Sequence, residues 1–176
     1  MRRTGSYVLM LSLAVMTAAA PMTSYGWGFK KAAAETTAVA EESAFEFKVD
    51  KTVIVMGAEA APVIKALGAT KRKPFSSDSC AYQGKSTIYP YEGFELGTHT
   101  VDGKETVESV YLMDATCATP EGIKVGSTKQ AVIDAYGKTA EDAFGTLRYT
   151  RKNTQVSFYF TNGTVDSIEY VLVIAK

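Results

Sequence analysis

The chain has 176 residues, and its 19 basic and 19 acidic side chains give a formal net charge of zero. Because the net charge is so small, we predict that the protein is not attracted to nucleic acid or to an anionic membrane. The chain contains one histidine, so it excludes a metal site that is built on two histidines.

The first 26 residues have the pattern of a secretory signal peptide. Arg2 and Arg3 form a basic start, and the apolar stretch 7–20 ends in small residues. This stretch is shorter than the roughly 20 apolar residues that span a bilayer. The sequence therefore predicts export, with no membrane span after cleavage. Small residues at 18–20, 24–26 and 38–40 are alternative cleavage sites, and we place the end of the signal peptide at residue 26.

Residues 27–43 differ in composition from the rest of the chain. The stretch 30–43 is rich in Ala, Thr and Glu and contains a single Val, so it has too little apolar surface to bury a core. We predict a flexible stalk here. Trp27 and Phe29 would suit a membrane interface, so an uncleaved membrane tether is the alternative to release.

An internal repeat organises the remaining chain. Residues 54–70 align without a gap with residues 123–139, and seven of the 17 aligned pairs are identical. A repeat of this length predicts that each copy is one supersecondary unit and that both copies share a core. We place the first unit at residues 44–115 and the second at residues 116–176.

Each copy has the signals of a short helix near its start. In the second copy, Ser127 as N-cap and Gln130 three residues later form a capping box, and Gly137 suits the end of the helix. The first copy keeps the glycine as Gly68 and places Pro62 in the first turn, where a missing N–H costs least. Helices of two to three turns are marginal alone, so we expect both to pack against a sheet.

Alternation of apolar and polar residues predicts strands after each helix, and turn signals such as Asp102-Gly103 and Asn162-Gly163 separate them. The predicted strands are 86–91, 94–100 and 106–113, then 146–151, 155–160 and 165–174, with a leading strand at 45–49 and a counterpart at 116–119. The predicted core-facing residues are Phe94, Leu96, Val110, Leu112, Val156, Phe158, Phe160, Ile168, Tyr170 and Leu172. The sequence thus predicts an α+β fold of two tandem helix-plus-antiparallel-sheet units.

The string Ile123-x-Val-Gly-Ser-Thr-x-x-x-Val-x-x-x-Tyr-Gly, with hairpin strands and an Asn-Gly turn after it, resembles the motif of the SmpA/OmlA group of small envelope lipoproteins. A tandem pair of such units resembles β-lactamase inhibitory protein, whose two copies make a concave sheet surface that grips a partner. Segments 79–84, 89–96 and 119–126 also resemble secreted proteins of Gram-positive anaerobes that have no assigned function. The resemblance implies a protein partner. Unlike the lipoproteins, this chain has no cysteine near its apolar start that would carry a lipid.

The chain has two cysteines, Cys80 and Cys117. In an exported protein they predict a disulfide, which would connect the loop after the first helix to the junction between the copies. The alternative, in a reducing compartment, is a pair of buried free thiols.

The residue types of catalytic sites are scarce in this chain. A Ser-His-Asp triad would have to use His99, and no G-x-S-x-G motif precedes a helix. We therefore predict neither an enzyme nor a cofactor. An exported hydrolase that uses two carboxylates far apart in the chain is the remote alternative.

If the helices cover one face of each sheet, strand residues of the opposite parity form an open face. Tyrosine is enriched where proteins bind one another, and this face carries several tyrosines among a few charges. The candidate partner-binding residues are Glu95, His99, Tyr111, Tyr159 and Glu169, with Ser109 and Ser157 beside them. We predict a secreted, non-catalytic module that binds another protein or a cell-wall polymer. A structural protein of the cell envelope is the alternative.

Overall fold

Antiparallel strands are the main regular structure of the computed structural model, which describes residues 43–79, 83–139, 142 and 144–174. The described residues lie within one compact unit, Ala40–Lys176. The elements in chain order are β1 (Glu46–Val49), β2 (Thr52–Val55), α1 (Ala60–Leu67), β3 (Phe75–Asp78), β4 (Lys85–Pro90), β5 (Phe94–Val101), β6 (Lys104–Leu112), α2 (Lys129–Tyr136), β7 (Leu147–Arg151), β8 (Thr154–Thr161) and β9 (Thr164–Leu172). The predicted signal peptide and nearly all of the predicted stalk lie outside the described residues.

The strands β3 to β9 form one seven-stranded antiparallel sheet in the order β3-β4-β5-β6-β9-β8-β7, and β1 pairs with β2 separately. The prediction of two helix-plus-sheet units is therefore wrong. The reason is that β6 pairs with β9 and joins both sets of hairpins into one sheet. An unpaired strand edge leaves backbone groups without partners, and this pairing removes one edge from each set. Because each helix has only eight residues, the protein is mostly β.

The repeated segments have the same backbone arrangement within this single sheet. Gly57 N–H donates to Val107 O at 2.8 Å, and Gly126 N–H donates to Val165 O at the same distance. Four residues beyond these two valines, Tyr111 and Glu169 pair with each other across β6 and β9. Equivalent positions of the repeat thus meet in the middle of the sheet, which has an approximate two-fold axis at this pair.

The glycine helix ends are confirmed, but the predicted cap of α2 is wrong by one residue. Gly68 and Gly137 follow the helices with positive φ, and each N–H donates to a carbonyl of the preceding turn. Thr128 is the N-cap of α2, and its hydroxyl accepts a backbone N–H of the first turn at 3.2 Å. The hydroxyl of Ser127 instead accepts the N–H of Lys124 at 3.1 Å, because the chain is still in a turn there.

The core lies between one face of the large sheet and a layer made of the two helices and the β1–β2 hairpin. The predicted core face is confirmed in its centre: the side chains of Phe94, Leu96, Val110, Leu112, Val156, Phe158, Ile168 and Tyr170 are buried, and Phe160 and Leu172 are partly buried against them. Burying one such side chain contributes about 1.5–3 kcal/mol. The rings of Phe47 and Phe94, 5.2 Å apart, join β1 to the sheet.

The leading strand is confirmed as β1, whereas the predicted counterpart at 116–119 is wrong. Thr119, the last residue of the predicted strand 116–119, begins a turn. Gly122 N–H donates to Thr119 O at 2.8 Å, and the hydroxyl of Thr119 accepts the N–H of Ile123. Strands β2 and β3, each of four residues, are not among the predicted strands. Their sequences, TVIV and FSSD, do not alternate between apolar and polar residues as the equally short β1 does.

Candidate functional site

The large sheet has one face that carries the core and one that does not. Side chains alternate between the two faces of a strand. Because Leu96 and Val110 point into the core, their neighbours Glu95 and Tyr111 point the other way and are partly exposed. We call this second side of the sheet the open face.

Five residues of the open face stand side by side across the middle of the sheet. Glu95 of β5 pairs with Tyr111 of β6, and Tyr111 pairs with Glu169 of β9. Ser157 of β8 and Arg148 of β7 continue this cross-strand row. Neighbouring strands lie about 4.8 Å apart, so the row sets one tyrosine between two carboxylates. Three of the predicted partner-binding residues are therefore direct neighbours.

A hydrogen bond fixes the fourth predicted residue beside the row. The hydroxyl of Tyr159 donates to Oε2 of Glu169 at 2.6 Å. Burial, followed by this bond to the carboxylate, raises the pKa of Tyr159 above its usual value. The one hydrogen of the phenol is donated to Glu169, and this bond gives the tyrosine side chain a fixed orientation.

Each end of the cross-strand row has an arginine paired with a carboxylate. A guanidinium nitrogen of Arg72 lies 3.6 Å from Oε1 of Glu95, and Arg72 is largely exposed. At the other end, Arg148 contacts the carboxylate of Asp142. The pKa of Asp142 is lowered, mainly because its carboxylate accepts a hydrogen bond from the backbone N–H of Thr146. The row thus carries charges of both signs, and Tyr111 lies between its two carboxylates.

An apolar pair extends the open face toward the outer strand β3. Phe75 is 65% exposed and lies directly opposite Ile88, which is 40% exposed. With Arg72, Lys73 and Pro90 they line a depression of about 230 Å³ that reaches Glu95. In the sequence, the basic run at residues 70–73 precedes Phe75. The aromatic residue just after this run is the one signal in the sequence that could have indicated a surface site.

His99, the fifth predicted residue, lies apart from the row. It stands four positions along β5 from Glu95, toward the tip of the β5–β6 hairpin. Its Nε2 lies 3.0 Å from the carbonyl oxygen of Gln83, and since a carbonyl only accepts, Nε2 donates. The structure therefore places His99 in different surroundings from the other four residues.

The predicted disulfide is not seen among the described residues. Cys117 is a free thiol, whose Sγ donates to the carbonyl oxygen of Glu92 at 3.6 Å, and burial raises its pKa. Cys80 lies outside the described residues. The pairing stays a prediction, which labelling of thiols in the native protein without reductant tests.

The comparisons with known proteins add no relative. No protein-family model, curated protein or solved structure matches this chain. Across the described ranges, no group of three or more His, Cys, Asp or Glu side chains is arranged to hold a metal ion. In the same part of the chain, neither helix has the length and apolar character that a membrane span requires.

Proposed function

We propose that this protein is an exported, non-catalytic binding module that recognises another protein through the open face. The observation that carries the proposal is the cross-strand row, in which Tyr111 stands between Glu95 and Glu169. Tyrosine and arginine are the residue types that dominate protein interfaces, since each combines apolar area with hydrogen-bond donors. Here they occur together on one surface.

The rigidity of the surface favours binding. Ordering a flexible side chain at an interface costs about 0.5–1.5 kcal/mol. Tyr159 is already held by Glu169, and Arg148 is held by Asp142, so part of this cost is met before a partner arrives. Strands also hold their side chains more firmly than loops do.

The apolar pair gives the surface an anchor for a partner. Phe75 and Ile88 expose apolar area beside the charged end of the row, where Arg72 and Lys73 reach solvent. An apolar patch with a polar rim is the usual composition of a protein interface.

The proposal is tested by immobilising the full-length protein and exposing it to the extracellular fraction of the producing culture. We expect one protein to be enriched, and its binding to weaken at least about tenfold in the Tyr111→Ala/Tyr159→Ala variant. The matched control is Lys48→Ala/Lys51→Ala, which removes two exposed charges from the β1–β2 hairpin.

Partner binding that is unchanged in the tyrosine variant would remove the open face from consideration. If the lysine control lost partner binding to the same extent, the loss would come from a general change in the charge or stability of the protein. The Tyr159→Phe variant separates the two properties of that residue, because it keeps the ring and removes the hydrogen bond to Glu169.

A further inference from the structure

A cleft of about 310 Å³ lies between the β5–β6 hairpin and the residues that end β9 and follow it. This volume is in the range of small-ligand sites, roughly 300–1000 Å³. The lining residues are Gln83, His99, Val101, Thr106, Glu108, Leu172 and Ile174. Most of the exposed surface of the cleft is apolar, and four of these residues add polar side chains, a combination that is usual in a site for a small organic molecule.

One wall of the cleft is formed by the part of the β5–β6 hairpin that has no counterpart in the equivalent β8–β9 hairpin. Beyond its bulge, the β5–β6 hairpin has four residue pairs, whereas the β8–β9 hairpin has two. Two extra residues per strand lengthen the first hairpin by about 7 Å. Val101 belongs to this extension and lines the cleft.

Glu108 is the one Asp, Glu, Lys or Arg among the described residues that line the cleft. It is the extra residue of the β6 bulge, and bulges re-aim side chains and are frequent beside functional sites. Asp166 is the bulge residue of β9 and is exposed, whereas Glu108 is partly buried. Within the part of the chain that the structure describes, the carboxylate of Glu108 has neither a hydrogen-bond nor an ion-pair partner. A partly buried carboxylate in apolar surroundings is stabilised by a cation.

We propose that the hairpin cleft binds a small organic cation, an amine with an apolar chain of about six carbons. The ammonium group pairs with the carboxylate of Glu108 and donates to the hydroxyl of Thr106, which also lines the cleft. The apolar chain packs against Val101, Leu172 and Ile174. Among the described lining residues there is no Lys or Arg to repel the ligand. This site is independent of the open-face proposal.

The test is an NMR titration of the full-length protein with hexylammonium near neutral pH, where the amine is charged. We expect amide shifts to change at His99, Glu108 and Leu172. Hexanol, which lacks the charge, should bind up to about fivefold more weakly. Butylammonium should bind about fivefold to fifteenfold more weakly than hexylammonium, because each buried CH₂ contributes up to about fourfold in affinity.

The Glu108→Gln variant separates charge from shape. It should bind hexylammonium and hexanol with similar affinity. The control is Asp102→Asn, which removes a carboxylate from the tip of the same hairpin, where asparagine also tolerates the positive φ. A preference for hexylammonium that survives in Glu108→Gln, or shift changes that lie outside the cleft, would overturn the proposal. So would the absence of any shift change at tens of millimolar amine.

Discussion

At the scale of single residues, Tyr89 has a hydrogen bond and a raised pKa that the strand pattern of the sequence does not reveal. The hydroxyl of Tyr89 donates to Oε1 of Glu105 at 2.9 Å, and the hydroxyl of Thr98 donates to the same oxygen at 2.5 Å. Burial, together with the neighbouring Glu105 carboxylate, raises the pKa of Tyr89 to about 12. Alternation along β4 places Tyr89 on the core side of the sheet. It does not show that the hydrogen-bond partner of Tyr89 is Glu105, a residue of β6.

This raised pKa predicts how stability depends on alkaline pH. Between pH values of about 10 and 12, the unfolded chain loses the Tyr89 proton while the folded protein keeps it. The free energy of unfolding therefore falls as pH rises through this window, and the contribution is fully present below pH 10. Urea unfolding at a series of pH values measures the slope. Tyr89→Phe should make it shallower, and an unchanged slope would contradict the assignment.

Gly93 shows a packing constraint that no sequence pattern could have shown. Its φ is 80°, and a Cβ there would lie 2.7 Å from Cβ of Thr116. Gly103 has a similar φ of 76°, with no atom within 4 Å of its Cβ position. Gly103→Ala should cost about 1–2 kcal/mol from backbone strain alone. Gly93→Ala should cost at least about 1 kcal/mol more, because of the overlap.

Thermal or urea unfolding of the two alanine variants gives the comparison. Equal losses in unfolding free energy would show that the loop containing Thr116 moves away at no cost.

At the scale of elements, the two helices provide a matched pair. Thr128 caps α2 with its side chain, whereas Glu59, at the same position before α1, makes no such bond. Both residues have extended backbone angles, so Glu59→Thr should reproduce the cap of α2. We expect a gain of about 0.5–1 kcal/mol in the free energy of unfolding, and a loss of about 1 kcal/mol for Thr128→Ala. A neutral Thr128→Ala would rule out the hydroxyl as a stabilising cap.

The long strands could be predicted from the sequence, whereas only β1 was predicted among the three strands of four residues. Strands β5, β6, β8 and β9 have eight or nine residues each, enough for alternation and for the Asp-Gly and Asn-Gly turns to be visible. The predicted cap at Ser127 failed because Ser and Thr are adjacent and both suit the position. The Phe75–Ile88 pair was missed because the sequence of β3, FSSD, does not alternate between apolar and polar residues.

At the scale of the whole molecule, the pairing of β6 with β9 is the reason that the predicted fold is wrong. Each set of hairpins was predicted to pack under its own helix, and local patterns agree with that. Which strand edges meet depends on contacts far apart in the sequence, such as Leu112 with Ile168. The same pairing brings Tyr111 next to Glu169, so the centre of the candidate site could not be derived from either copy alone.

A shared sheet predicts shared unfolding. Ile168 is fully buried at the β6–β9 junction, and Ile168→Ala should lower the free energy of unfolding by about 2–5 kcal/mol. In the unmodified protein and in Ile168→Ala, the NMR signals of β5 and of β8 should have the same midpoint of urea unfolding. Circular dichroism, which reports the whole sheet, should show a single transition at that midpoint. Val53→Ala, at a site 46% exposed, is the control and should change stability by less than about 0.5 kcal/mol. Two separate transitions would mean that the halves of the sheet unfold independently.

The approximate two-fold axis between Tyr111 and Glu169 gives the open face a direction. A symmetric surface would accept a partner equally well after a half-turn. Here the half-turn exchanges a phenol for a carboxylate, and it exchanges Tyr159 for Gly97, the residue at the equivalent place on β5. A partner that lies across the central strands therefore meets different chemistry in its two orientations, so a symmetric backbone can still select one of them.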